Sequence, residues 1–274
     1  MKIIHTLSTA CLGILLCTPS QAISTHRSVK QYAQASPQIV QAQKLARAGQ
    51  KAIAEKKWSV ALKELSASLN LLPRQPLVLN ARGVVYLNLS APEKAIADFK
   101  KSAELDPKLA LPHFNLGNAY RLQNKAVPAI TAYSQAIALD PRYTAAYNNR
   151  GITYSENKNY AMALKDYNQS LKLNPRDEDV RNNRGYLYLL QNQYALALKD
   201  FDAVLRAKPN HALAYGNKAQ LLYKQGQCKA AIPLLEKSCE LGNVKACRVV
   251  RRLKCEPDPT PTPEPSPLET EKES

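Results

Sequence analysis

Residues 110–143 read ALPHFNLGNAYRLQNKAVPAITAYSQAIALDPRY, and residues 144–177 read TAAYNNRGITYSENKNYAMALKDYNQSLKLNPRD. Laid one over the other, they match Asn115 with Asn149, Gly117 with Gly151, Tyr120 with Tyr154, Ala129 with Ala163, Tyr133 with Tyr167 and Pro141 with Pro175. A fixed internal period decides an architecture before any local signal does, because each unit must bury its apolar face on its neighbours. The register runs on in both directions. Pro73, Pro107, Pro141, Pro175 and Pro209 are 34 residues apart, and so are Ala61, Ala95, Ala129, Ala163, Ala197 and Ala231. Gly49, Gly83, Gly117, Gly151 and Gly185 form a third column, with Ala219 in the sixth place. Leu65, Phe99, Tyr133, Tyr167, Phe201 and Leu235 form a fourth, and Tyr86, Tyr120, Tyr154 and Tyr188 a fifth.

Each column has a physical cause. Two antiparallel helices approach closely where both carry small residues, so the Gly and Ala columns predict the closest contact, with the large residues filling the wider gaps. The prolines follow Asp106, Asp140 and Asn174 and end the second helix, since proline lacks a donor and clashes with the preceding turn. Asn124, Asn159 and Asn192 fall between the helices and are expected to cap the second one, as Ser90-Ala91-Pro92 does with proline in the first turn. Abundant Ala, Leu, Lys and Gln, with nine glycines and 7% aromatics, agree with an all-α chain. A 34-residue helix-turn-helix with these offsets resembles the tetratricopeptide repeat. The resemblance implies an α-solenoid of about six helix pairs, over 42–75, 76–109, 110–143, 144–177, 178–211 and 212–245. Repeats 1 and 6 depart most, with Ala52 in the tyrosine column, Asn243 in place of proline and Pro233 inside a helix, as suits end caps.

The flanks read differently. Residues 1–22 have the form of a secretory signal: Lys2, the apolar run Cys11–Cys17, and Ser20-Gln21-Ala22 as a cleavage site. The apolar run is too short to span a bilayer, so no transmembrane segment is expected in the mature chain. Residues 23–41, polar and containing Pro37, read as a flexible lead-in. Residues 246–256 read as a capping helix, with Val244, Cys247, Val249 and Val250 covering the stack. Pro257 to Ser274 alternates X-Pro and then turns acidic, a composition that cannot pack a core.

Once the signal is removed, four cysteines remain, at 228, 239, 247 and 255. An even, clustered set in an exported chain reads as two disulfides, and no C-x-x-C spacing points to zinc or any other metal. Antiparallel helices joined at Gly242-Asn243 would pair Cys239 with Cys247 near the turn and Cys228 with Cys255 at the open end. The 8-residue spacing of Cys239, Cys247 and Cys255 also resembles secreted cysteine-rich helical-pair repeats.

The net charge of +16 favours acidic partners: polyanions, anionic membrane surfaces or acidic peptides. No P-loop, G-x-S-x-G or H-E-x-x-H occurs, and Ser155–Lys158 has S-x-x-K spacing without its partner motifs. A catalytic role and a cofactor are therefore not expected. In a stack of this kind the first helices line the groove, where Asn115, Asn149, Asn183 and Asn217 recur with Asn118, Asn148 and Asn182 beside them. A primary amide offers two donors and an acceptor, which suits a peptide backbone of any sequence. O-GlcNAc transferase uses a similar asparagine ladder, so the resemblance implies that these seven hold a peptide. The lysine-bearing carboxylate clamp of heat-shock adaptors is missing its lysines. The expectation is an exported scaffold, periplasmic or secreted, that binds a protein or peptide and not nucleic acid. The alternative is an envelope-associated module that binds an anionic polymer or membrane through its basic face.

Overall fold

The structure is a computed structural model that describes residues 36–253. The expected signal, the tail and Cys255 lie outside the described residues. Thirteen helices follow one another among them, with no strand: α1 (Pro37–Ala54), α2 (Trp58–Leu71), α3 (Pro76–Asn88), α4 (Pro92–Leu105), α5 (Ala110–Leu122), α6 (Ala126–Leu139), α7 (Thr144–Glu156), α8 (Tyr160–Leu173), α9 (Glu178–Leu190), α10 (Tyr194–Ala207), α11 (Ala212–Lys224), α12 (Cys228–Glu240) and α13 (Val244–Val250). Six antiparallel pairs stack in chain order, and α13 rests on α12. First helices touch first helices of the next repeat (α3 with α5, α5 with α7, α9 with α11), whereas the second helices make no comparable contact with one another. The first helices therefore line the inner side of the stack and the second helices its outer side. No described helix is long and apolar enough to cross a membrane.

The reversal inside each repeat is made by the backbone. Lys56, Ser90, Asn124, Lys158 and Asn192 adopt φ of 56–61°, and Gly226 adopts 77°, all in the left-handed region and 34 residues apart. The amide one residue further on returns to a carbonyl five residues back: Ala91 to Tyr86, Lys125 to Tyr120, Asn159 to Tyr154 and Gln193 to Tyr188, each at 2.9 Å. This is the Schellman closure, which satisfies carbonyls left over at the helix end. It corrects the capping expectation. Asn124 and Asn192 end the first helix, because asparagine tolerates the left-handed conformation. Ser90 holds the same place and caps nothing, leaving Pro92 to start α4. Only Asn159 of the set caps, its side chain accepting from the Met162 amide at 3.4 Å.

Packing departs from expectation in one respect. The glycine meets first the large residue and not the alanine column, which is among its nearest neighbours in repeat 4 alone, where Ala163 O lies 3.4 Å from a Cβ on Gly151. A Cβ on Gly117 would lie 2.4 Å from the Tyr133 ring, and one on Gly83 would lie 2.5 Å from Phe99. Glycine thus makes room for the large residue of the same repeat, which is fully buried at Phe99, Tyr133 and Phe201. Repeat 6 accommodates Ala219 opposite the smaller Leu235. A further column ties the two ends of the pair in repeats 1, 2, 4 and 6: Ser68, Ser102, Ser170 and Ser238 donate to the carbonyls of Ala42, Pro76, Thr144 and Ala212 at 2.7–3.1 Å.

The ends differ from the sequence reading. α1 begins at Pro37, with the Ser36 hydroxyl accepting from the Ile39 amide, so Pro37 opens a helix where a flexible lead-in was expected. Pro233 lies within α12, which runs unbroken around it. α13 stops at Val250, short of the expected helix end. Asn243 caps it, accepting from the Lys245 and Ala246 amides. A disulfide joins Cys239 and Cys247, with Cα atoms 4.7 Å apart. These two constraints set the rotation of α13, turning Ala246, Val250 and Leu253 onto Ala219, Ala231 and Leu235. Val244 and Val249, expected to cover the stack, point outward at 62% and 42% exposure. Cys228 is disulfide-bonded as well.

Candidate functional site

The inner side is built from one residue column and its neighbour. Asn115 Nδ2 donates to Asn80 Oδ1 (2.9 Å), Asn183 to Asn148 (3.1 Å) and Asn217 to Asn182 (3.0 Å), each rung joining consecutive first helices across 35 residues. Repeat 3 carries Phe114 at the acceptor position. There Asn149 reaches Asn118 instead, one turn further on, at 2.8 Å. The Asn118 oxygen also accepts from the Tyr133 hydroxyl (2.8 Å). Burial of that phenol pushes its pKa up to about 12, so it remains a donor.

The seven asparagines are thus brought together, but they are bonded first of all to one another. Asn115, Asn118 and Asn182 are buried. Asn148, Asn149, Asn183 and Asn217 are half-buried and keep an accessible edge. Each of these four Nδ2 groups makes one bond within the protein, against a capacity of two. The residues along the strip are mostly uncharged. Leu77 and Leu213 are 48% and 54% exposed at its edge, in the column that Leu111, Ala145 and Asp179 complete. On α3, α5 and α7 every arginine or glutamate is spoken for. Arg82 and Arg150 turn to second helices, and Arg121 meets Glu156 at 3.4 Å. The net charge is therefore not expressed along the inner strip of repeats 2–4. On α9, Asp179 approaches His211 Nε2 at 3.1 Å, and His211 Nδ1 accepts from the Ala214 amide to cap α11.

The outer side carries a second system that sequence reasoning missed. Arg82, Arg150 and Arg184 each grip a carboxylate 16 residues on (Asp98, Asp166, Asp200) through two bonds of 2.8 Å. Each also reaches a polar atom 16 residues back, on the preceding second helix: Ser66, Ser134 and Asn168. The guanidinium thus fills the groove between successive second helices, and paired bonds of this kind are the strong ones. Repeat 6 keeps the backward half, with Lys218 bonded to Asp202 at 2.8 Å. The columns Arg82/Arg150/Arg184 and Asp98/Asp166/Asp200 stood in the sequence at the repeat period and were the signal available.

Repeat 3 breaks this pattern at both positions together. Leu116 replaces the arginine and Ala132 the aspartate, with Lys100 at the backward position. Between α4 and α6 this leaves a groove of about 630 Å³ with Leu116, Tyr120, Val127 and Ala132 in its walls, and Lys100 and Glu104 on its α4 side. His113 stands at its side with Nδ1 buried and without a partner, and burial holds its pKa below the usual imidazole value.

Comparison with protein families matches tetratricopeptide repeat models over residues 78–109, 144–177 and 182–244, and a TPR repeat model over 117–158. A comparison with curated protein sequences finds no match. Among solved structures, the fold resembles PilF of Pseudomonas aeruginosa, at 18% identity and TM-score 0.67, over 79% of this chain and 99% of that one. It also resembles a chain of the APC/C hetero-tetramer Cut9–Hcn1, at 18% identity and TM-score 0.69, over 79% of this chain and 43% of that one, so the match spans less than half of that protein. YrrB, a TPR protein with an unusual peptide-binding site, matches at 18% identity and TM-score 0.53, over 69% of this chain and 98% of that one. At such identities the likeness establishes the fold.

Proposed function

Since the chain belongs to the tetratricopeptide-repeat family, we propose that it is an exported scaffold, periplasmic or secreted, which holds an extended segment of another protein along its inner strip. The observation that carries this reading is the asparagine rungs. Each accessible amide keeps donor capacity beyond its rung, in a row spaced by the repeat, beside exposed leucines. Backbone groups of an extended peptide would be met by the amides and its alternate side chains by the apolar edge. The inner strip of repeats 2–4 has its charges paired, so the segment it suits is uncharged and apolar in part, rather than acidic as the net charge alone suggests. Export rests on the N-terminal sequence and on the cysteine pairing, since disulfides persist in oxidising compartments. The test is capture from the native envelope by the purified full chain, identified by mass spectrometry, alongside Asn149→Ala/Asn183→Ala. That variant should keep its helical circular dichroism and weaken capture, each lost neutral hydrogen bond counting for about 0.5–1.5 kcal/mol. Undiminished capture by the folded variant would remove the strip from the mechanism.

A second reading is favoured by the last stretch, 241–253, where Lys245, Arg248, Arg251 and Arg252 stand without an acidic residue. A surface of that kind suits an anionic polymer or membrane. Binding through it would fall steeply with salt, unlike binding through the amide strip.

A further inference from the structure

Every second helix among the described residues but one exposes a charged side chain. Residues 36–253 hold 33 Lys and Arg against 16 Asp and Glu. Exposed charges mark the second helices: Lys63 on α2, Glu93 and Lys94 on α4, Lys165 on α8, Lys199 on α10 and Lys237 on α12. α6 is the exception. Its fourteen residues, Ala126–Leu139, include no Asp, Glu, Lys or Arg. Its exposed positions are Val127, Pro128, Thr131, Gln135, Ala138 and Leu139. These fall at helical spacing, so they form one continuous outward stripe. Val127 is 75% exposed, and in repeat 2 its place is taken by Glu93. The stripe borders the groove left where Leu116 and Ala132 replace the arginine–aspartate pair.

We propose that the outer face of repeat 3 is a self-association surface, through which two copies of this chain pair about a two-fold axis. Three features select a second copy. A two-fold contact must be self-complementary, each surface meeting its own image. This face offers both halves side by side: a protruding Val127 and Pro128, and a groove floored by Leu116 and Ala132, with one charge of each sign, Lys100 and Glu104, on its α4 wall. Two bodies with this excess of positive charge repel one another over about a Debye length, roughly 8–10 Å at ordinary salt. They can meet closely only where the outer surface is uncharged, and α6 supplies that surface. An acidic partner would be drawn instead to the charged helices on either side.

The test is sedimentation of the purified full chain across a range of concentration and salt. The parent should sediment as a dimer in reversible exchange with monomer. Added salt should strengthen the pairing, because it screens the repulsion and leaves the apolar contact. Val127→Lys places a charge on a side chain that is largely outside the packing. It should weaken association at least tenfold with an unchanged melting curve. Leu116→Arg/Ala132→Asp rebuilds the pair that repeats 2, 4 and 5 carry, fills the groove, and should do the same. Ala161→Lys, at the equivalent position of repeat 4, should leave association as it is. A parent that stays monomeric, a dimer that survives Val127→Lys, or one that salt dissolves would each overturn the proposal. Should the double variant fail to fold, Val127→Lys decides alone.

Discussion

The Arg150–Asp166 pair is the point at which the stacking energetics can be tested against the protein's own alternative. Two bonds of 2.8 Å join the groups; the Asp166 side chain is 2% exposed and that of Arg150 16%. Removing one partner of a buried pair typically costs about 3–5 kcal/mol, because a charge is left without compensation. Asp166→Ala should fall near the lower end, about 3 kcal/mol, since Arg150 keeps an edge to solvent and its bond to Ser134 (2.7 Å). Arg150→Leu should fall near the upper end, about 5 kcal/mol, since the stranded carboxylate is almost wholly enclosed. Independent effects would then sum to about 8 kcal/mol. The double variant Arg150→Leu/Asp166→Ala instead copies Leu116 and Ala132, a combination already present in repeat 3. Replacing a buried pair by packed apolar groups is often nearly neutral. The double variant should therefore lie within about 1 kcal/mol of the parent, milder than either single change. Urea unfolding followed by circular dichroism gives the cycle. Hydrogen exchange on α7 and α8 localises it, because stability in a repeat array is a sum over neighbouring units. A double variant that loses as much as the two singles combined would refute the reasoning that the pair is an exchangeable groove filler.

Three other perturbations read different layers. Replacing Cys239 and Cys247 by serine opens a short loop, and chain entropy sets the loss at about 2.5 kcal/mol. Faster hydrogen exchange should be confined to α12 and α13, and exchange that spreads into α7 would contradict a local cap. His113 gives a pH dependence with a definite sign. Its folded pKa is lowered by burial, so the stability it brings is complete above the unfolded value of about 6.5 and is lost as pH falls through the lower folded pKa. The urea midpoint of the parent should drop more between about pH 7.5 and about pH 5 than that of His113→Gln, and equal drops would exclude the histidine as a source. Gly117→Ala sets a methyl 2.4 Å from the Tyr133 ring and should cost about 1–3 kcal/mol by overpacking. A melting curve like the parent's would mean that the ring moves aside.

Much of the fold was legible because a repeated sequence states each constraint several times. A single Pro107 or Ala95 says little, whereas five or six in register leave one architecture. What misled was chemistry that local rules assign to the wrong neighbour. Asn124 and Asn192 were expected to cap, since asparagine between helices usually does. The companions of Asn124 at the repeat spacing are Lys56, Ser90, Lys158, Asn192 and Gly226; no side-chain cap is common to that mixture, and the Asn and Gly members are the residues that tolerate a left-handed backbone. Pro37 reads as a breaker, yet it opens α1. Proline alone cannot distinguish the two, and Ser36 before it was the clue.

The inner asparagines were legible as a column but not as a network, because their partners are offset by 35 residues rather than 34. A 35-residue offset links a residue to the neighbour of its counterpart, and only the placing of adjacent first helices reveals it. The outer clamp is hard to read in the sequence for a different reason. Arginine and aspartate on a solvated helix are ordinarily filler, and Arg82, Arg150 and Arg184 become informative only when Asp98, Asp166 and Asp200 are read with them. Repeat 3 then makes the inference possible, since Leu116 and Ala132 change together. A lone apolar substitution would strand a buried aspartate; the joint change leaves no such charge and opens a groove. Exposed charge vanishes from α6 in the same repeat, although folding alone places no demand on that outward stripe. The loss of the clamp and the loss of surface charge thus fall on one face of one repeat. Packing within the chain accounts for the first and not for the second, and a surface that must meet its own copy accounts for both.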